Sequence, residues 1–155
     1  MKKTLCLIIL SLGWIILLQQ ILVSHCEVPC GIYNDSMRFT MIEEHIQTVE
    51  KAMQQVMELS GQSPQNMNQI VRWIMNKEKH AEEIQHIISQ YFLTQRIKLN
   101  DKKDAAAVKS YNKKLTLCHQ ILVLAMKTKQ TTDPSTVENL KSSVALFKKA
   151  YFGNE

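Results

Sequence analysis

Four stretches of the chain carry apolar residues at alternating steps of three and four, and that spacing constrains the fold more than any other feature. Ile42, Ile46, Val49, Met53 and Val56 fall on one side of a helix with 3.6 residues per turn. Ile70, Trp73, Ile74, Ala81, Ile84, Ile88 and Tyr91 form a second stripe. Val108, Tyr111, Leu115, Cys118, Leu122 and Ala125 form a third, and Val137, Leu140, Val144, Phe147 and Tyr151 a fourth. Gly61 suits a C-terminal cap, and Ser63-Pro64 reads as an N-cap followed by Pro at the first helical position. Residues 93–103 are polar and charged and read as a connection, and Asp133-Pro134 repeats the cap-plus-Pro start. The pattern predicts helices over about 36–60, 64–92, 104–129 and 134–152. A helix with one apolar stripe needs partners to cover it, and short connections fold successive helices back on one another. The expected fold is therefore all-α, an antiparallel four-helix bundle. With 4 Gly and 3 Pro in 155 residues, the chain lacks the turns that a β sandwich or barrel requires.

The residues before the first stripe divide in two. Lys2 and Lys3 precede an apolar run from Leu5 to Leu18, interrupted only by Ser11 and Gly13. That run spans 14 residues, short of the roughly 20 that a bilayer-crossing helix needs. It reads as a secretory signal, with Ser24 as the small residue at the cleavage site. The expected organisation is a removable segment 1–24 followed by one domain, 25–155. Loss of residues 1–24 leaves 131 residues, with 17 basic side chains against 14 acidic ones and a net charge of +3. So small a surplus does not call for nucleic acid. The cleaved chain keeps no segment for stable membrane association. The mature protein is expected outside the cytoplasm, in a periplasm or the extracellular space, with signal peptidase or an equivalent maturation protease as its processing partner.

Most side chains on the helices have an ordinary structural explanation. Seven methionines remain after residue 24, mostly on helix faces, and read as core filler. Cys118 lies within an apolar stripe and reads as a buried structural cysteine. Glu78 and Glu82 share a helix face, but no Glu-x-x-His repeat accompanies them on two helices, so a di-iron carboxylate site is not indicated. His45, His80, His86 and His119 stand at spacings that suit no metal motif. Neither of the common glycine-rich phosphate-binding patterns occurs.

Chemistry is concentrated in His25-Cys26-Glu27-Val28-Pro29-Cys30-Gly31-Ile32-Tyr33. Cleavage after Ser24 would make His25 the new N-terminus, and its α-amine, titrating near pH ~8, can give up a proton to a metal. The amine nitrogen, the deprotonated amide nitrogen of Cys26 and the Cys26 thiolate then form adjacent small chelate rings. Cys30 can return a second thiolate to the fourth corner, with Pro29 and Gly31 supplying the turn. The His25 imidazole is left to approach along the axis. Planar N2S2 donation suits Ni(II) or Cu(II) rather than tetrahedral Zn(II). Two thiolates and an anionic nitrogen also stabilise a higher oxidation state. The same two cysteines are open to other readings: a Cys26–Cys30 disulfide in an exported helical binding module, a thiol redox motif, or a nickel or copper carrier.

The nine residues from His25 to Tyr33 resemble the nickel hook of the nickel-dependent superoxide dismutase family, matching every fixed letter of His-Cys-x-x-Pro-Cys-Gly-x-Tyr. Gln90-Tyr91-Phe92 is similar to that family's second-helix tyrosine segment. The resemblance implies an oxidoreductase that disproportionates superoxide by Ni(II)/Ni(III) cycling, with one nickel ion per subunit and a homohexamer of bundles. It implies His25, Cys26 and Cys30 as metal ligands, Pro29 and Gly31 as shaping residues, and Tyr33 guarding the open axial face. Tyr91 would supply a second hydroxyl near it. The family's first-helix glutamate, which anchors the axial imidazole, corresponds to Glu43, with Glu44 as its competitor. His80 stands in the segment where the family carries a supporting arginine. Members with a short propeptide remain cytoplasmic, whereas this chain carries an export signal.

Overall fold

The computed structural model describes residues 34–100 and 104–153, so the expected signal segment and hook lie outside the described residues. What it describes is helical throughout. Helix α1 spans Asp35–Ser60 and α2 spans Met67–His86, the latter running directly into a π-helical segment, Ile87–Arg96. Helices α3, Ala105–Gln130, and α4, Pro134–Phe152, complete the order. Each helix start is fixed by a short polar side chain that accepts from a backbone N–H otherwise without a partner: Asn34, Asn66, Asp104 and Asp133. At the far end of α4, Gly153 adopts φ 75° and donates its N–H back to the Lys149 carbonyl, closing the helix in a conformation glycine takes without strain.

The helices pack in a ring, α1 on α2, α2 on α3, α3 on α4 and α4 on α1. Their directions follow from residue pairs. Asp35 meets Tyr91, His45 meets His80 and Lys51 meets Trp73, so numbers rise along α1 while they fall along its neighbour. Lys148 with Glu43 and Lys141 with Glu50 give the same opposition between α1 and α4. Gln85 with Leu122 and Glu82 with Lys129 give it between α2 and α3. Among the described residues, then, the protein is a four-helix bundle with antiparallel neighbours, and none of its helices is long and apolar enough to cross a membrane.

The core follows the first and fourth stripes closely. Phe39, Ile42, Ile46, Val49 and Met53 are buried along α1, and Val137, Leu140, Val144 and Phe147 along α4. On α3 the inner face is rotated from the expected line. Leu117, Cys118, Ile121, Ala125 and Thr128 are buried, whereas Val108 is exposed. Helix α2 begins at Met67 on the Asn66 cap, not at Pro64, because Asn66 accepts from the Gln69 N–H while Ser63-Pro64 stays in the preceding bend. Helical structure also continues past residue 92, through Arg96, in a region expected to be a connection. The methionines depart from the expectation as well. Met53 is buried and Met41 packs against the core, but Met37, Met57, Met67, Met75 and Met126 are exposed.

Two features hold the ends of the bundle. Lys77 is buried and donates from Nζ to the carbonyls of Lys129 and Thr131, both at 2.9 Å, satisfying carbonyls that the end of α3 leaves open. At the opposite end, Phe39, Phe92 and Phe147 are fully buried, with ring centroids 4.8–5.4 Å apart, and Tyr151 lies edge-on against the group. This aromatic knot joins the start of α1, the π segment and the end of α4. Phe92→Ala is expected to cost about 3–5 kcal/mol in urea unfolding. Leu146→Ala on the exposed face of α4 should change stability by less than about 0.5 kcal/mol.

Candidate metal centre

The aromatic knot carries a polar cluster at its edge. Asp35 occupies the first turn of α1, where a carboxylate also benefits from the helix dipole. Tyr91 donates its hydroxyl to Asp35 Oδ1 at 2.5 Å, and Tyr151 donates to Oδ2 at 2.8 Å. Arg96 Nε lies 3.0 Å from Asp35 Oδ1, an ion pair rather than an aligned hydrogen bond, while its Nη2 donates to the Tyr91 hydroxyl at 2.8 Å. The Arg38 and Arg96 guanidinium groups each lie 4.7 Å from the Tyr91 ring centroid.

The π segment makes this arrangement possible. Its wider turn stacks residues five apart: Thr94 Oγ1 donates to the Ser89 carbonyl, Gln95 Nε2 to the Gln90 carbonyl and Arg96 Nη2 to the Tyr91 hydroxyl. An α-helical continuation would stack residues three and four apart and carry Arg96 away from Tyr91.

The charges in the cluster are coupled. Burial pushes the Asp35 carboxyl up, but hydrogen bonds from Tyr91 and Tyr151 and the charge of Arg96 outweigh it and hold the group below its ordinary value. Burial and the neighbouring Asp35 raise the Tyr91 phenol, with Arg96 pulling against them. Tyr151 is raised by burial and by Asp35. Both phenols are therefore protonated at neutral pH.

A second pair lies further along the bundle, where the rings of His45 on α1 and His80 on α2 meet with Nδ1–Nδ1 at 2.8 Å. One nitrogen must carry the proton while the other accepts it. Burial lowers the His45 pKa, and the His80 charge lowers it further, against a smaller upward pull from Glu83 and Glu44. Sequence spacing gave no sign of this pair, since the two residues lie 35 positions apart. Glu43 is paired with Lys148 of α4 at 2.7 Å, and Glu44 is exposed on the neighbouring face. His80 thus meets His45 and not Glu43. His25, Cys26, Pro29, Cys30, Gly31 and Tyr33 lie outside the described residues.

Residues 20–155 match the family model of the nickel-containing superoxide dismutases. The chain belongs to this family. The match covers the hook motif and the whole bundle, and it makes the protein an oxidoreductase whose cofactor is nickel. No curated protein and no solved structure gives a significant match.

The residues fit nickel in one place. Among the described residues, no group of three or more His, Cys, Asp or Glu side chains could hold a metal ion. Cys118 is fully buried and burial pushes its thiol up to about 12, so it offers no thiolate at neutral pH. The other cysteines after residue 24 are Cys26 and Cys30, which with nearby amine and amide nitrogens would make a donor set suited to Ni(II).

The His45–His80 pair makes the dismutase sensitive to acid. A histidine whose folded pKa lies below its unfolded value near 6.5 stabilises the fold fully above that value. The contribution is lost as pH falls from about 6.5 through the lower folded pKa, because the unfolded chain then binds the extra proton. The melting temperature is expected to fall between about pH 7 and pH 5, and His80→Asn should flatten that slope when melting is followed by circular dichroism.

Proposed function

We propose that the protein converts superoxide into dioxygen and hydrogen peroxide at a hook that forms only after residues 1–24 are removed. Nickel bound by His25, Cys26 and Cys30 would supply one-electron exchange between Ni(II) and Ni(III). One superoxide gives up an electron and leaves as dioxygen; a second takes that electron and two protons and leaves as hydrogen peroxide. The observation that carries this reading is the extent of the family match, from residue 20 to residue 155, so that hook motif and bundle fall within one relationship.

The residues divide the work. His25 would supply its amine nitrogen and its imidazole. Cys26 supplies an amide nitrogen and a thiolate, and Cys30 the second thiolate. Pro29 and Gly31 set the turn between the two cysteines. Tyr33 would restrict access to the metal and order water for proton delivery, with Tyr91 as a second hydroxyl. Glu43, with Glu44 as its neighbour, is the carboxylate proposed to orient the His25 imidazole. Such a ring is fixed by what its other nitrogen bonds. We further propose one nickel per subunit, a homohexameric assembly, and export coupled to removal of the signal by signal peptidase or an equivalent protease. A disulfide-stapled binding module or a metal carrier has no comparable support, since family membership points to turnover.

The decisive measurement is the mass of the purified mature chain together with its nickel content. An N-terminus at His25 and close to one nickel per chain are expected. Any other N-terminus would remove the amine and amide donors and sink the hook model. Cys26→Ser and Cys30→Ser should each abolish nickel binding and superoxide turnover while leaving the helical circular dichroism unchanged.

A further inference from the structure

The Asp35 cluster determines which way the Tyr91 proton points. A carboxylate can only accept a hydrogen bond and a guanidinium can only donate one. A phenol has one proton and two lone pairs. With Asp35 Oδ1 2.5 Å away on one side and Arg96 Nη2 2.8 Å away on the other, the Tyr91 proton must go to Asp35 and one lone pair must receive Arg96. What remains is a single lone pair. We infer that Asp35 and Arg96 are positioning residues that leave Tyr91 able to accept a hydrogen bond from water or another hydroxyl but unable to donate its own proton to superoxide. The protons of the reaction must then come from another donor. The inference rests on the reading of Tyr91 as a hydroxyl of the dismutase site, and it specifies what that hydroxyl does.

The groups around Tyr91 come from every element packed there. Helix α1 supplies Asp35 and Arg38, and the π segment supplies Arg96. Helix α4 supplies Tyr151, which shares the Asp35 carboxylate, and Lys114 of α3 lies 5.9 Å from the Tyr151 ring. Asp35 and Arg96 pull the Tyr91 phenol in opposite directions. Their removal should therefore have opposite effects, which a simple loss of packing would not produce.

The test compares the full mature protein with Asp35→Asn, Arg96→Gln, Arg96→Lys and Tyr91→Phe. Tyrosinate absorbance is titrated in each, and the pH profile of superoxide turnover is measured alongside it. Asp35→Asn should move the tyrosine titration and the alkaline limb of activity to lower pH. Arg96→Gln should move both to higher pH, and Arg96→Lys should restore most of the parent behaviour. Turnover at neutral pH should fall about tenfold in Asp35→Asn, from misplacement of the hydroxyl. Tyr91→Phe should remove the transition that the other variants shift. The inference is overturned if both charge variants move the profiles in the same direction, or lower only the melting temperature. A Tyr91→Phe enzyme with an unchanged profile and rate would instead refute the catalytic reading of Tyr91 itself. Should Asp35→Asn fail to fold, Arg96→Gln and Arg96→Lys still decide the sign.

Discussion

One carboxylate gathers one end of the bundle. Asp35 receives a hydroxyl and the charge of Arg96 from the π segment and a second hydroxyl from α4, so two distant parts of the chain converge on the carboxylate of a third. A carboxylate so placed is costly to desolvate, and it remains ionised because two hydroxyl donors and the Arg96 charge offset the water it loses. Beneath it the phenylalanine knot fixes the backbones that carry those donors. Packing and polar cluster depend on each other: the rings set the positions, and the hydrogen bonds satisfy the groups that the rings exclude from water.

This arrangement bears on the proposed hook, whose candidate ligands His25, Cys26 and Cys30 precede the bundle in the chain. Precise donor geometry normally rests on packed elements and not on loops. Here Cys30 precedes Asp35 by five residues, so the Asn34 cap and the Asp35 carboxylate lie close in sequence to the last proposed ligand. In the proposed reading the hook would contribute the ligands and the bundle the scaffold. That division agrees with a set of described residues that holds no metal cluster of its own.

Much of the fold was legible because helix periodicity is a local property. The stripes on α1 and α4 are amphipathic faces, and Ile42, Ile46, Val49 and Met53, like Val137, Leu140, Val144 and Phe147, are buried at the expected three-four spacing, with Ala52 and Ser143 widening the buried faces. The departures lie where local rules meet tertiary demands. Asn66 outcompetes Ser63 as the cap of α2, and the inner face of α3 turns toward Leu117 and Ile121. Five methionines sit on the surface because their flexible, weakly hydrated side chains tolerate either environment. The proposed hook is read for a different reason: its candidate ligands His25, Cys26 and Cys30 fall within six residues, though they lie outside the described residues. The Asp35 cluster was not legible. Tyr91 and Arg96 lie five apart, a spacing that joins nothing on an α-helix, and only the wider π turn brings them together.

The protonation of these groups follows a single direction. Cys118, Tyr91 and Tyr151 are all held in their neutral forms by burial, and Asp35 is held ionised by its donors. The bundle therefore presents no second thiolate and no readily formed phenolate to compete for a metal with the hook at neutral pH. For the proposed hook, whose donors would be thiolates and a deprotonated amide nitrogen, a scaffold whose remaining thiol at Cys118 stays protonated leaves the soft donation to Cys26 and Cys30. In the proposed reading, cleavage is then the controlling step. While residues 1–24 remain attached, His25 has an amide in place of an amine, and the scaffold offers nickel no alternative donor set among its described residues.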